Sequence, residues 1–201
     1  MARGQTGSKQ NTKLALLEAG IAIMLEKGYN NTGIQEVLDT IGVPKGSFYY
    51  YFDSKEDFAL QIIDHFDTAY IAQIASTLDD KTISPTDRLR RYCDEGMRRF
   101  EENQCRKGCL IGNLSQEMSD QSEVLRARLE EVMTKWRNKF ALCIREGQEV
   151  GEITTAIDNV QLAEFFQCGW NGAIMRGKTT KTTTPQRAFM QVMFEHILPA
   201  K

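Results

Sequence analysis

Three groups of residues carry side chains at spacings that could do chemistry. The run Lys45-Gly46-Ser47-Phe48-Tyr49-Tyr50-Tyr51 places a cation and several hydroxyl donors around a glycine. That set suits the phosphate oxygens and base edges of nucleic acid. Cys109 follows Arg106, Lys107 and Gly108 at the expected start of a helix. Neighbouring cations and a helix N-terminus both raise the thiolate fraction, and the thiolate is the nucleophile. Gly172 to Thr179, GAIMRGKT, fits G-x-x-x-x-G-K-[ST], in which backbone N–H groups cradle phosphates and the lysine neutralises them. Other constellations are poor. His65 and His196 are far apart, neither lies near a cysteine pair at zinc spacing, and no Ser-His-Asp set stands out. The adjacent acids Glu101-Glu102 and Glu130-Glu131 read as solvated faces. No metal, cofactor or enzyme site is expected.

The first group needs a scaffold, and the flanking residues supply one. Ile34, Val37, Leu38 and Ile41 recur at helical spacing, Gly42 stops that helix, and Pro44 suits the first turn of the next. Lys45 to Tyr51 is then a second, very short helix. Phe48 and Phe52 share one side of it, leaving Lys45, Gly46, Ser47, Tyr49 and Tyr50 as candidate DNA contacts. Thr32 is placed to cap the first helix and to hold a phosphate at its N-terminus, and Lys55 to hold another from the start of the following helix. Two helices and a tight turn in this order form a helix-turn-helix reading head, with the motif at about 33–52.

The scaffold around Gly172–Thr179 points away from nucleotide binding. A phosphate loop needs a strand before it and a helix after it, whereas here a helix precedes and the loop TTKTTTP follows. A P-loop NTPase is the alternative reading, and the disfavoured one.

The rest of the chain reads as helix after helix. Lys9–Lys27 carries a stripe of Leu14, Leu17, Ile21 and Leu25, and Gly28 stops it. Ser54 caps a long helix to about Leu78, and further helices are expected at about 85–102, 108–118, 121–147, 158–178 and 185–198. The spacing therefore predicts an all-α protein. Its parts are a flexible arm at 1–8, a three-helix DNA-binding domain at 9–53, and a helical body at 54–201. Arg3, Lys9 and Lys13, with no acid among the first thirteen residues, suit the arm for a groove or backbone contact. The net charge of −2 over 201 residues leaves DNA attraction to local patches. No apolar run reaches membrane-spanning length, no secretory signal opens the chain, and five irregularly spaced cysteines suit a reducing cytoplasm.

The window Gly42-Val43-Pro44-Lys45-Gly46-Ser47-Phe48-Tyr49-Tyr50-Tyr51-Phe52, followed by Ser54-Lys55-Glu56, resembles the DNA-binding domain of the bacterial TetR family of transcriptional regulators. Gly33 and Leu38-Asp39-Thr40 replace the family's more usual valine and alanines, and Tyr50 stands where histidine is frequent. The segment from Cys105 to Glu117, with Pro44–Tyr49 and Trp170–Ile174, is similar to the branch that holds acrylate-responsive and N-ethylmaleimide-responsive regulators. In some of those a cysteine at the place of Cys109 senses electrophiles. The resemblance implies a homodimeric repressor released from a palindromic DNA operator by a small-molecule effector, with 54–201 as its helical effector-binding and dimerisation domain. Cys109 then lies by the effector pocket, with Asn113, Trp136, Trp170 and Arg176 as lining candidates. The effector is either an electrophile bonded by Cys109 or a small unsaturated acid held without a covalent bond, its carboxylate neutralised by Arg176. Cys93, Cys143 and Cys168 are expected to fill core. The face Leu162, Phe165, Phe166, Gly169, Trp170, Ala173, Ile174 and Gly177 is expected to pair with Phe189, Val192, Met193, Phe194 and Ile197 in a four-helix dimer interface.

Overall fold

A computed structural model describes residues 3–200, with side chains from residue 10 onward. Its helices are α1 (Arg3–Lys27), α2 (Ile34–Ile41), α3 (Phe48–Tyr51), α4 (Lys55–Leu78), α5 (Pro85–Glu102), α6 (Leu110–Met118), α7 (Glu123–Glu149), α8 (Asn159–Thr180) and α9 (Thr184–Val192). A 3₁₀ turn, Lys45–Ser47, leads into α3, and one π turn, Met193–Ile197, follows α9. The all-α expectation holds: among the described residues no strand forms, and one isolated antiparallel bridge, Ile153 to Pro199, joins segments outside the helices. Backbone from Arg3 to Ser8, expected as an arm, continues α1, because extending an existing helix costs far less than nucleating one. The side chains of Arg3 and Lys9, and with them the expected DNA contacts, lie outside what is described, as do residues 1, 2 and 201 altogether.

The chain divides into two compact units, Met1–Thr68 with Leu110–Glu130, and Ala69–Cys109 with Glu131–Lys201. In the first, α1 buries Leu16, Leu17 and Met24, whereas Leu14, expected on the buried stripe, is 42% exposed. Gly20 explains the displaced face: a Cβ there would sit 2.5 Å from both Ile62 and Phe58, so α1 meets α4 along its glycine. The stop after α2 is local chemistry. Gly42 takes the left-handed conformation at φ 69°, its N–H donates to Asp39 O, and Val43 N–H reaches back to Leu38 O. That pair of bonds is the Schellman arrangement. Ser54 Oγ accepts from Asp57 N–H at 3.0 Å and opens α4 as expected.

The second unit is built on aromatic side chains. Tyr92, Phe140, Phe166, Trp170 and Phe194 are all buried, and Phe140 and Phe166 stack with ring centres 5.2 Å apart. Asp158 caps α8 by accepting from Val160 and Gln161 N–H groups. Arg88 is the buried cation of this unit, 3% exposed, donating to Leu78 O and to Glu146. The face of α8 expected to await a partner is divided. Leu162, Phe166, Trp170, Ala173 and Gly177 are buried within the unit, and Gly169 packs against Phe189. Phe165, Met175 and Val192 remain exposed.

Candidate DNA interface and effector site

The reading head is held from below by an aromatic wedge. Phe48, Phe52 and Phe58 are each at most 1% exposed, with ring centres 5.1, 5.2 and 4.6 Å apart. Burial of these three rings supplies several kcal/mol, on the order of 2 kcal/mol each. It also fixes which way the rest of the helix points. Tyr49 and Tyr50 are 59% and 62% exposed, Lys45 and Gly46 are exposed, and Ser47 is half-buried. All five are thus brought together on the 3₁₀ turn and α3. Pro44 lies just outside, in extended conformation at ψ 152°, and not inside the first turn as expected.

Thr32 departs from its expected capping role, and Lys55 has protein partners beside it. Thr32 is 2% exposed and its hydroxyl donates to Gly28 O at 2.6 Å, so it does not cap α2; Gly33 occupies the N-cap without a side-chain bond. The hydroxyl finds a closer acceptor in the turn that precedes it. Lys55 Nζ donates to Asn30 O at 3.2 Å and lies 4.7 Å from the centre of the Tyr29 ring. Burial pulls its pKa down, opposed by Glu117. Lys55 therefore ties the start of α4 to the α1–α2 turn.

The loop into α6 is conformationally unusual. Gln104, Cys105, Lys107 and Gly108 all have φ between 54° and 79°. Left-handed backbone at three non-glycine residues costs of the order of 1 kcal/mol each. It delays α6 to Leu110, so Cys109 stands immediately before the first helical residue and not inside the helix. Cys109 is half-buried. Two groups that helical spacing does not mark lie near it. Tyr70 and Tyr92 share a hydroxyl–hydroxyl hydrogen bond of 2.6 Å, and burial raises both phenol pKa values, with Cys109 adding to the rise. Helical spacing places Tyr70 and Tyr92 on apolar faces, and nothing in that pattern pairs their hydroxyls across α4 and α5.

This tyrosine pair joins two of the expected lining residues. Trp136 stacks on Tyr70 at 4.3 Å, and Trp170 lies 6.2 Å from Tyr92. Both tryptophans are 3% exposed. Arg176 does not join them: it is exposed on α8, whereas Trp170, Ala173 and Gly177 occupy the buried face. Six residues along a helix turn a side chain well away from its starting face. Asn113 is half-buried on α6, within the first unit.

The other thiols separate by environment. Burial pushes Cys143 up to about 12 and Cys93 well above the usual thiol range. Cys168, expected in the core, is exposed on α8, its pKa raised by partial burial and by Glu164. Brief N-ethylmaleimide treatment of the native protein is expected to label Cys109 and Cys168 and to spare Cys93 and Cys143, as read by peptide mass mapping. Rapid labelling of Cys93 would contradict this ordering.

The nucleotide-binding pattern has no loop to act through. Gly172–Thr179 lies inside α8, where the backbone N–H groups are spent on helix bonds, and the Lys178 stem packs against Gly108. No residue run in the described chain forms a strand before it.

Comparison with known proteins agrees with this architecture. The model described as "Bacterial regulatory proteins, tetR family" matches residues 16–62, and "Tetracyclin repressor-like, C-terminal domain" matches 85–193. The HTH-type transcriptional repressor DhaR of a Mycobacterium species is 38% identical over 185 residues, 92% of this chain and 91% of that protein. The transcriptional regulator AcuR of Cereibacter sphaeroides is 38% identical over 202 residues, 98% of this chain and 91% of that one. The crystal structure of Escherichia coli NemR in its reduced form superposes with a TM-score of 0.87 at 27% identity, covering 95% of this chain and 98% of NemR. With a helix-turn-helix head and a helical C-terminal domain that both match, the chain belongs to the TetR family of transcriptional regulators.

Proposed function

We propose that the protein is a homodimeric repressor of the cytoplasm that binds a palindromic operator through Lys45, Gly46, Ser47, Tyr49 and Tyr50, and leaves it when Cys109 takes up an electrophile. The carrying observation is the outward set of Lys45, Tyr49 and Tyr50 on a helix clamped by Phe48, Phe52 and Phe58. Such a helix enters the major groove, and two of them roughly 35 Å apart read successive half-sites. The N-terminus of α2, preceded by Thr32, offers backbone N–H groups to a phosphate. The exposed Phe165, Met175 and Val192 supply apolar surface for the second copy. DhaR and NemR are named as repressors, which supports the sign of regulation.

The sensing role rests on the half-buried Cys109 at the start of α6, beside Tyr70 and Tyr92. The Escherichia coli NemR structure is described as a reduced form, which supports a redox-responsive reading. An effector that binds better to a conformation with the wrong head spacing draws the population off DNA. A non-covalent unsaturated acid is the second reading, favoured by the Tyr70–Tyr92 hydroxyl pair as hydrogen-bond donor.

Gel-shift titration against DNA flanking the gene tests the head. Lys45→Ala is expected to weaken binding about tenfold through one lost phosphate or base contact, with circular dichroism and dimer mass unchanged. Unchanged affinity would remove Lys45 from the interface.

A further inference from the structure

We infer that Glu117, at the C-terminal end of α6, is a positioning residue for DNA binding, holding the α1–α2 turn in the geometry that the reading head requires. Its carboxylate accepts two backbone N–H groups from that turn, Tyr29 at 2.8 Å and Asn30 at 2.8 Å. Successive N–H groups that converge in this way form an anion-binding nest, and here the anion is supplied by a side chain 87 and 88 residues away. Gly28 makes room for it. Its φ is +81°, and a Cβ there would fall 2.5 Å from Glu117 Oε2. Further bonds lead outward from the same turn. Asn30 Nδ2 donates to Gln121 Oε1, Asn30 O accepts from Lys55, and the Thr32 hydroxyl returns to Gly28 O. One carboxylate thus fixes the turn that sets both the entry to α2 and the start of α4.

The placement of Glu117 also gives it a regulatory consequence, which rests on the repressor reading above. α6 begins at the residue after Cys109 and ends at the residue after Glu117. A helix segment of that length is roughly 12 Å long and stiff. A displacement at its first residue arrives at its last, and Glu117 then either holds the Tyr29–Asn30 turn or lets it go. Because coupling between sites is reciprocal, operator binding at the head must in turn restrain α6.

The test uses the full-length protein and needs no electrophile. Operator affinity and backbone amide exchange are compared for wild type, Glu117→Ala and Glu117→Gln, with and without operator duplex. Loss of a two-fold charged acceptor is expected to weaken operator binding about tenfold, to deprotect the Tyr29 and Asn30 amides, and to abolish the slowing of exchange in residues 110–118 that operator causes in wild type. Gln keeps the side-chain shape and one acceptor oxygen, so it reports even where Ala loosens the whole head. Wild-type affinity in Glu117→Ala, or a lowered melting temperature with α6 still responding to operator, would overturn the proposal. A wild type that N-ethylmaleimide fails to release would remove the Cys109 reading while leaving this comparison intact.

Discussion

Cys109→Ser is expected to bind operator as wild type does and to remain bound in N-ethylmaleimide that fully releases the parent. Access and bulk single out this thiol. Cys93 and Cys143 are buried with thiols held protonated, Cys105 is 8% exposed, and Cys168 is exposed on α8. That leaves Cys109 as the reactive thiol set among packed aromatic groups, close to the Tyr70–Tyr92 pair. Thiolate addition to the maleimide double bond puts one proton on the adjacent carbon and adds a ring at a half-buried position beside the Tyr70–Tyr92 pair. Overpacking of that kind costs about 1–3 kcal/mol, which lies in the range of ordinary allosteric coupling, roughly 5- to 150-fold in affinity. Serine is close in size and a far poorer nucleophile, so the variant keeps the packing and loses the reaction. Cys168→Ser serves as the control and should respond as wild type. Release of Cys109→Ser by the reagent would transfer sensing to another thiol, and release of both variants by acrylate would favour the non-covalent reading.

What could be read from the chain beforehand follows the range of the interaction concerned. The glycine stop at Gly42, the cap at Ser54 and the Phe48–Phe52 pair involve residues within a few positions of each other, and each is found where spacing puts it. Features that depend on partners distant in sequence were not legible. Periodicity marks Leu14 as buried, but contact of Gly20 with Phe58 and Ile62 turns α1 to a neighbouring face. Lys55 has the chemistry of a phosphate ligand, and its tie to Tyr29 and Asn30, 25 residues away in the case of Asn30, does not show in the spacing. The carboxylate of Glu117 looks like any acid on a polar helix until the turn it accepts from is known. Gly172–Thr179 errs in the opposite direction: its pattern is complete, but a phosphate loop requires free N–H groups, and α8 has none to give there.

Arg88→Met is expected to destabilise the protein by about 3 kcal/mol at neutral pH, the lower part of the range for breaking a buried pair. Arg88 is 3% exposed and donates at 2.8 Å to Leu78 O at the end of α4 and at 2.7 Å to Glu146 on α7. Methionine fills much of the volume but leaves that carbonyl without its donor and the carboxylate with Lys81 alone. For a chain of this size the melting temperature should fall by roughly 6–12 °C. The pH dependence separates charge pairing from packing. Burial alone would raise the Glu146 pKa, but hydrogen bonds from Lys81 and Arg88 outweigh it and hold the pKa below the ordinary value of 4.5. A depressed carboxyl pKa gives stability that is present above the unfolded value and lost as pH falls through the folded one. The difference in melting temperature between wild type and Arg88→Met should therefore be largest at pH 6–7 and narrow below about pH 4, as read by thermal unfolding across that range. A difference independent of pH would assign the whole effect of Arg88 to packing and to the Leu78 carbonyl, and would remove Glu146 from the account of how α5 is held to α7.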